Sequence, residues 1–216
     1  MTDVEYFFDP TCPWTWLTSR WLADAAPRRD VQVTWRPLSL LVLSGGHMPE
    51  QYLAGATASH RALRGVAALH TEGRHADTGH YYATLGRLTH DAGEGLSDEL
   101  VDRAVTETGL TGLAAALEDS SWDASVEAST KEALDLAGPD VGSPILAWSV
   151  VPDGVAGSGA TTRRVGFHGP IVSPGPRGEE GARLLEGVLV AGATPGFFEL
   201  KRGRTEPPAL PAPPWG

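Results

Sequence analysis

Hydrophobic and polar positions divide the first part of the chain into a strand, a helix and a second strand. Residues 4–8 are β-branched and aromatic apart from Glu5, which predicts a short buried strand. Residues 13–25 begin with a proline and carry apolar side chains at helical spacing, until Pro27 ends the pattern. Residues 31–43 alternate and then become continuously apolar, which predicts a second strand followed by a buried segment. This order predicts parallel strands joined by a right-handed connection.

The middle of the chain, residues 49–138, predicts an all-helical block rich in alanine, leucine and charged residues. Within it, Ser97 is a good N-cap and Gly109 a good C-terminal stop for one helix. Ser120 to Asp123 resembles a capping box that opens a last helix, which is expected to end at Gly138.

The strand pattern returns in the last third of the chain. Residues 141–151 predict a strand with a proline near its start, and residues 165–168 predict a short returning strand. Between them, residues 152–164 predict a loop longer than a tight turn, which caps a site, caps a partner or, more commonly for such loops, has no role. Residues 178–190 predict a final amphipathic helix, and the proline-rich tail from Glu206 predicts irregular structure.

Composition limits the classes of protein. A chain of 216 residues is expected to form one domain, or one domain with an insertion. Its formal charge of −10 argues against nucleic acid or an anionic membrane as the main partner. A single cysteine, no signal-peptide pattern and no apolar run of membrane-spanning length together predict a cytoplasmic protein.

Cys12 is the only cysteine and stands between the first strand and the first helix. A thiol there faces unpaired backbone N–H groups and the positive end of the helix dipole, which favour the thiolate. A fall of its pKa by about two units from roughly 8.5 would raise the thiolate fraction at neutral pH to about three-quarters. Thr15 lies on the same side of the first turn, where its hydroxyl can donate to the sulfur. We therefore expect an acidic, reactive cysteine; the alternative is a small buried hydrophobic side chain, as most free cysteines are.

The order of elements is that of an α/β thioredoxin fold with an all-helical insertion after the second strand. Residues 4–206 resemble the branch of the DsbA family that includes 2-hydroxychromene-2-carboxylate isomerases and kappa-class glutathione transferases. The resemblance implies a thioredoxin-like domain of residues 1–48 and 139–216, and an inserted helical domain of residues 49–138. The segments similar to the mycothiol-dependent nitroreductase group are Phe8–Pro10, Cys12–Trp14, Thr18–Trp21, Ser39–Leu40, Pro49–Tyr52, Val141–Gly142, Gly169–Pro170, Pro176–Glu180, Phe197–Arg202 and Arg204–Pro208.

The resemblance also implies the composition of an active site. Cys12 would be the nucleophilic sulfur, Pro144 would be a cis-proline facing it, and the backbone of Ser143 would hydrogen-bond a thiol substrate in a strand-like manner. Trp14 would form a wall of the site, and Tyr52 would reach it from the helical insertion. The residues implied to surround the bound thiol are Pro13, Trp14, Tyr52, Ser143 and Pro144.

Thr15 departs from the Cys-Pro-Trp-Cys motif of the family, because it stands where the second, resolving cysteine is expected. A dithiol relay within one chain is therefore excluded. We expect a thiol-dependent oxidoreductase in which Cys12 and a low-molecular-weight thiol, mycothiol by resemblance, act on a small electrophile or disulfide. Two alternatives stay open. One is a thiol-dependent isomerase or transferase in which Cys12 or Thr15 orients the bound thiol, and the other is a non-catalytic descendant that binds a ligand or partner.

The seven histidines match no zinc-binding spacing, so we expect no metal site. His168 ends the strand beside the proline-led one, where a surface or supporting role is favoured over catalysis. The sequence leaves open the substrate, the identity of the thiol and the oligomeric state, for which a homodimer is one option.

Overall fold

The computed structural model describes residues 1–151 and 162–211, and most of the predicted loop at residues 152–164 lies outside them. The strands are β1 Thr2–Phe8, β2 Val31–Pro37, β3 Ile145–Val150 and β4 Arg163–His168. The α-helices are α1 Pro13–Ala25, α2 Leu40–Leu43, α3 Glu50–Thr71, α4 His75–Gly86, α5 Asp98–Thr108, α6 Leu113–Glu118, α7 Asp123–Ala137 and α8 Gly178–Ala193. Within these ranges no helix has the length and apolar composition needed to cross a bilayer.

The strands form one mixed sheet in the order β2-β1-β3-β4. β1 and β2 run parallel, as predicted from the first crossover, while β3 runs antiparallel to both β1 and β4. Ile145, the first residue of β3, pairs with Phe7 on one side and with His168 on the other. Helices α2 to α7 lie between β2 and β3 in the chain, so the predicted helical insertion is present. Its division from the rest at residues 48/49 and 138/139 stays a prediction.

The side chains of β1 alternate between two cores. Val4, Tyr6 and Phe8 belong to the main core, which includes buried residues of α1, α3, α4 and α8. Phe7 belongs to a smaller cluster on the other face, together with Ala133 of α7. The period-2 pattern of β1 therefore places helices on both faces of the sheet.

A charged network borders the α7 side of the sheet. Glu5 of β1 and Glu132 of α7 each form ion pairs with Arg36 of β2 and Arg164 of β4. Each partly buried charge therefore has two partners of opposite sign, which offsets the desolvation of the group. The network links three strands to α7.

The helical insertion packs directly on α1. Gly86, at the end of α4, lies against the buried ring of Trp16, and a Cβ at Gly86 would lie 2.1 Å from a ring carbon. The indole Nε1 of Trp16 donates to Oδ1 of Asp91 at 2.7 Å. Only glycine permits this approach, so residue 86 determines how closely the insertion packs against the helix that begins beside Cys12.

Some predicted boundaries are wrong for local reasons. Residues 40–43, predicted as part of a buried segment, form α2 because the hydroxyl of Ser39 caps it by accepting from the N–H of Val42 at 3.3 Å. The helix predicted to open with a capping box at Ser120 begins at Asp123, since residues 120–122 form a 3-10 turn. The predicted cap of α5 is confirmed, because the Ser97 hydroxyl accepts from the N–H of Leu100 at 3.2 Å.

Candidate active site

Cys12 lies at the N-terminal end of α1 in an extended conformation, with Pro13 as the first helical residue. The residue is partly exposed, and its thiol donates to the carbonyl oxygen of Ser143 across 3.7 Å. The Ser143–Pro144 peptide bond is cis. The structure thus places Cys12 beside Ser143 and Pro144, whose roles toward a thiol substrate stay predictions.

Thr15 is fully buried one turn below Cys12. Its Oγ1 lies 2.8 Å from the Oγ of Ser143, and that same Ser143 oxygen accepts from the N–H of Asp9 at 3.2 Å. If the Ser143 hydroxyl donates its proton to Thr15, the Thr15 hydroxyl is left to donate toward the sulfur of Cys12. The threonine in place of a second cysteine is therefore part of a hydrogen-bonded group that also includes Ser143 and the backbone of Asp9.

The prediction of an acidic Cys12 is wrong in direction. Burial raises the pKa of the Cys12 thiol above its ordinary value, and the negative charge of Asp9 adds to the rise. Hydrogen bonds from the side chain and backbone of Thr15 and from the backbone of Trp14 lower the pKa but do not outweigh burial. The predicted donors at the helix N-terminus are present, but the resting sulfur is a thiol because desolvation of the charged form is the larger effect.

Asp9 organises the loop that precedes Cys12. The side chain is fully buried, and its Oδ1 accepts from the backbone N–H and hydroxyl of Thr11 and from the hydroxyl of Ser59 at 2.6–2.8 Å. Its Oδ2 accepts from the N–H of Leu40 at 2.7 Å. One carboxylate therefore ties the Cys12 loop to α2 and α3. In the sequence, the Asp9-Pro10 pair directly after a strand is a turn signal, and it could have indicated that Asp9 organises this loop.

His90 supports the same loop from the helical insertion, and sequence reasoning gave it no role. It lies in a π-helical turn, residues 87–91, and its Nε2 is 2.8 Å from the carbonyl oxygen of Pro10. Its ring stacks on Trp16 with centroids 6.2 Å apart. Burial lowers the pKa of His90, so the ring is neutral and donates from Nε2 to Pro10. No local pattern marks a π turn in the sequence.

Trp14 and Tyr52, the two aromatic residues that the resemblance implies at the site, differ in exposure and in their neighbours. Trp14 is partly exposed two residues after Cys12, and the guanidinium of Arg204 lies 5.0 Å from its ring centroid. Tyr52 is 60 % exposed in the first turn of α3. One turn later, a Cβ at Gly55 would lie 3.8 Å from the methyl of Thr11, so this end of α3 borders the Cys12 loop. Contact between Tyr52 and a substrate stays a prediction.

A serine, a histidine and an aspartate also form a hydrogen-bonded series near the site. The Oγ of Ser39 lies 3.0 Å from Nδ1 of His60, whose Nε2 lies 3.0 Å from Oδ1 of Asp123. Ser39 is fully buried, caps α2 and cannot meet a substrate, so the series is structural and not a hydrolytic triad.

Other candidate sites lack suitable geometry. Within residues 1–151 and 162–211, no three histidine, cysteine or acidic side chains come together in a way that could hold a metal ion. A cavity of about 230 Å³ between β2, α3 and α7 is lined by Arg36, His70 and Glu132 among others, but by neither Cys12 nor Ser143. Cys12 therefore stays the predicted centre of the chemistry.

Comparison with known proteins agrees with this geometry. A family model described as Rv2466c-like, mycothiol-dependent nitroreductase Rv2466c, matches residues 11–202. The uncharacterized protein Rv2286c of Mycobacterium tuberculosis is 26 % identical over 212 residues, which cover 95 % of this chain and 84 % of that protein.

Solved structures match the fold. The cytosolic disulfide reductase DsbM of Pseudomonas aeruginosa is 17 % identical with a TM-score of 0.54, over 87 % of this chain and 98 % of that one. A 2-hydroxychromene-2-carboxylate isomerase is 14 % identical with a TM-score of 0.52, over 87 % of this chain and 94 % of that one. The predicted α/β thioredoxin fold is confirmed by these likenesses. Since the family model spans most of its length, the chain belongs to the Rv2466c-like family and is a thiol oxidoreductase enzyme.

Proposed function

We propose that the protein is a monothiol oxidoreductase in which Cys12 exchanges with a small disulfide or electrophile and a low-molecular-weight thiol, mycothiol in view of the family, regenerates it. The observation that carries the proposal is the position of Cys12, a partly exposed residue at the start of α1 whose sulfur lies 3.7 Å from the Ser143 carbonyl oxygen. A structure of DsbM with GSH, 16 % identical at a TM-score of 0.53, supports a small thiol as partner. We place the reaction in the cytoplasm, because a lone cysteine without a disulfide partner suits a reducing compartment.

With a small disulfide, the proposed cycle has two exchange steps. The Cys12 sulfur attacks one sulfur of the disulfide, a mixed disulfide forms on Cys12, and the departing thiolate takes up the proton that Cys12 loses. A second small thiol then attacks the substrate-derived sulfur and releases Cys12, which regains a proton. Electrons balance, because the substrate disulfide is replaced by one new disulfide while one small thiol is consumed and one released. The small thiol performs the step that a second cysteine would perform in a dithiol enzyme.

The chain's own residues assist the charge on sulfur in both steps. The Thr15 hydroxyl and the backbone N–H groups of Trp14 and Thr15 stabilise the thiolate while it attacks or leaves. Ser143 presents its carbonyl oxygen to the resting thiol. Because burial keeps this thiol protonated, the rate of attack should rise with pH through the neutral range.

A second candidate function is favoured by the raised pKa of Cys12. A sulfur that remains a thiol can donate a hydrogen bond, so Cys12 could orient a bound small thiol that is itself the nucleophile, as in an isomerase or thiol transferase. In that case the Cys12 sulfur would never form a covalent bond with substrate. The two functions therefore differ in one observable, a mixed disulfide on Cys12.

Intact-mass spectrometry after incubation with oxidised mycothiol or glutathione disulfide tests the proposal. We expect one small-thiol adduct per chain, removed by the reduced thiol and absent from Cys12→Ser, and loss of turnover in that variant. Since Cys12 is the only cysteine, the adduct site is unambiguous. Turnover retained by a folded Cys12→Ser variant would contradict the proposal and support the second candidate.

A further inference from the structure

Residues 197–210 return from the end of α8 to the active-site end of the molecule and are held at both ends. The ring of Phe197 lies 5.8 Å from that of Phe167 in β4. At the other end, the N–H of Ala209 donates to the Oγ of Ser173 at 2.8 Å, and Leu210 packs against the main core. Arg204 lies between these anchors, with its guanidinium over Trp14. The packing of the segment therefore determines where this cation lies.

The guanidinium of Arg204 has no ion-pair or hydrogen-bond acceptor among the residues that the structure describes, although nine of the other fourteen arginines are ion-paired. Arg204 is exposed, and a guanidinium stacked on an aromatic ring keeps its edge N–H donors free. Those donors match the two oxygens of a carboxylate. In a chain of formal charge −10, a cation stacked on the tryptophan two residues after the reactive cysteine is a feature that substrate charge would explain.

The positive charge of Arg204 also acts on the strand that pairs with the start of β3. His168 pairs with Ile145, the residue that follows Pro144, and the N–H of Gly169 donates to the carbonyl oxygen of Pro144 at 2.8 Å. Desolvation lowers the pKa of the His168 ring, and the charges of Arg204 and Lys201 lower it further, against a smaller effect of Glu199. The field of Arg204 and Lys201 therefore reaches the strand end that carries the cis-proline.

We propose that Arg204, whose guanidinium lies over Trp14, forms a subsite for a carboxylate carried by the small disulfide or electrophile that reacts at Cys12. The inference rests on the proposed function and adds the charge of its substrate. Arg204 is a specificity-determining residue in this scheme. It attracts and orients the anionic end of the substrate while the sulfur of Cys12 meets the reactive end.

Alkylation by a matched pair of reagents tests this charge preference. Iodoacetate carries a carboxylate and iodoacetamide does not, and in both the sulfur displaces iodide from a CH2 carbon, so one C–S bond forms as one C–I bond breaks. The ratio of their rate constants on Cys12, divided by the same ratio on the uncharged reference thiol N-acetylcysteine amide, cancels differences in the reactivity of the sulfur. We expect this normalised ratio to exceed one for the wild type and to fall about three- to tenfold in Arg204→Gln. It should approach one at about 0.5 M salt.

Two variants of the same segment serve as controls. Arg202→Gln removes the same charge from a neighbouring exposed position without the tryptophan contact, and should keep the wild-type ratio within about twofold. Arg204→Lys keeps the charge and should retain most of the preference. An unchanged ratio in Arg204→Gln, or an equal fall in Arg202→Gln, would overturn the subsite.

The alkylation ratio does not depend on the exchange experiment that tests the proposed function. Alkylation needs neither turnover nor a mixed disulfide, so failure of the exchange experiment would remove the proposed function and leave the ratio measurable. Conversely, a mixed disulfide that forms in a protein with no preference for iodoacetate would remove the subsite alone.

Discussion

Replacement of Thr15 by valine isolates the contribution of one hydroxyl to the reactivity of Cys12. Thr15 is fully buried, and valine has nearly the same shape, so the change removes a hydrogen-bonding atom with little change in volume. The hydroxyl lies 2.8 Å from that of Ser143 and opposes the effect of burial on the pKa of Cys12. Without it, the thiolate loses its side-chain donor and the Cys12 thiol becomes harder to ionise.

The size of the effect follows from two opposing terms. A hydrogen bond to a charged group contributes about 1.5–3 kcal/mol, which corresponds to about a 10- to 150-fold smaller thiolate population once it is lost. A less acidic thiol gives a more nucleophilic thiolate, with a Brønsted coefficient of about 0.4–0.5, so about half of this loss is offset in logarithmic terms. The alkylation rate at neutral pH should therefore fall about 3- to 20-fold.

The assay is pseudo-first-order reaction with iodoacetamide across a pH series, followed by intact mass. The single cysteine gives one modification per chain, and the rate should rise with pH in wild type and variant alike. Thr15→Ser keeps the hydroxyl and should react at close to the wild-type rate, while thermal melting checks that both variants fold. If serine and valine variants react equally, the hydroxyl does not act on the sulfur and the reasoning fails.

Three further predictions test the surroundings of the site. Thr15→Cys should form an internal disulfide on mild oxidation, seen as the loss of two hydrogens from the intact mass; two free thiols after oxidation would contradict the placement of residue 15. Gly86→Ala should destabilise the fold by about 1–3 kcal/mol in urea denaturation, because the new Cβ would lie 2.1 Å from the Trp16 ring. Gly187→Ala, where a Cβ on α8 would meet open space, is the control and should be neutral or stabilising by up to about 1 kcal/mol. Equal effects of the two would refute the packing argument. Burial acts to raise the pKa of Glu132, but its paired arginines hold that pKa below the ordinary value of 4.5, so the stabilising contribution of Glu132 is present above pH 4.5 and is lost on acidification. Glu132→Gln should therefore make the free energy of unfolding less dependent on pH in the acid range. An unchanged slope of the unfolding free energy against pH would contradict this prediction.

Local signals in the sequence were sufficient to predict most of the strands and helices. Strand β1 and helix α1 are defined by a buried aromatic run, a proline at the first helical position and a proline after the last turn, all of which act within a few residues. The same is true of α5, whose cap and stop lie at its own ends. The parallel pairing of β1 and β2 follows from the short crossover between them.

The state of the cysteine could not be predicted in the same way, because it depends on residues far apart in sequence. The helix N-terminus is a local feature and was anticipated, but the burial of Cys12 that outweighs it arises only in the folded chain, where Ser143, 131 positions away in sequence, lies beside the sulfur. The contact of His90 with Pro10 joins residues 80 positions apart through a π turn. No periodicity in the sequence predicts such contacts, because each joins segments that meet only when the whole chain folds.

A raised thiol pKa has a particular consequence for an enzyme without a second cysteine. In thiol–disulfide exchange the thiol of lower pKa leaves faster, so a less acidic Cys12 is a poorer leaving group and its mixed disulfide persists longer. In a dithiol enzyme the neighbouring cysteine would attack Cys12 itself, but here Thr15 occupies that position and cannot. In the proposed cycle the adduct must therefore survive until a second small thiol arrives, and the burial that makes Cys12 slow to attack would also protect the intermediate. On this reasoning the steady-state fraction of the mixed disulfide during turnover should fall as the concentration of the resolving thiol rises.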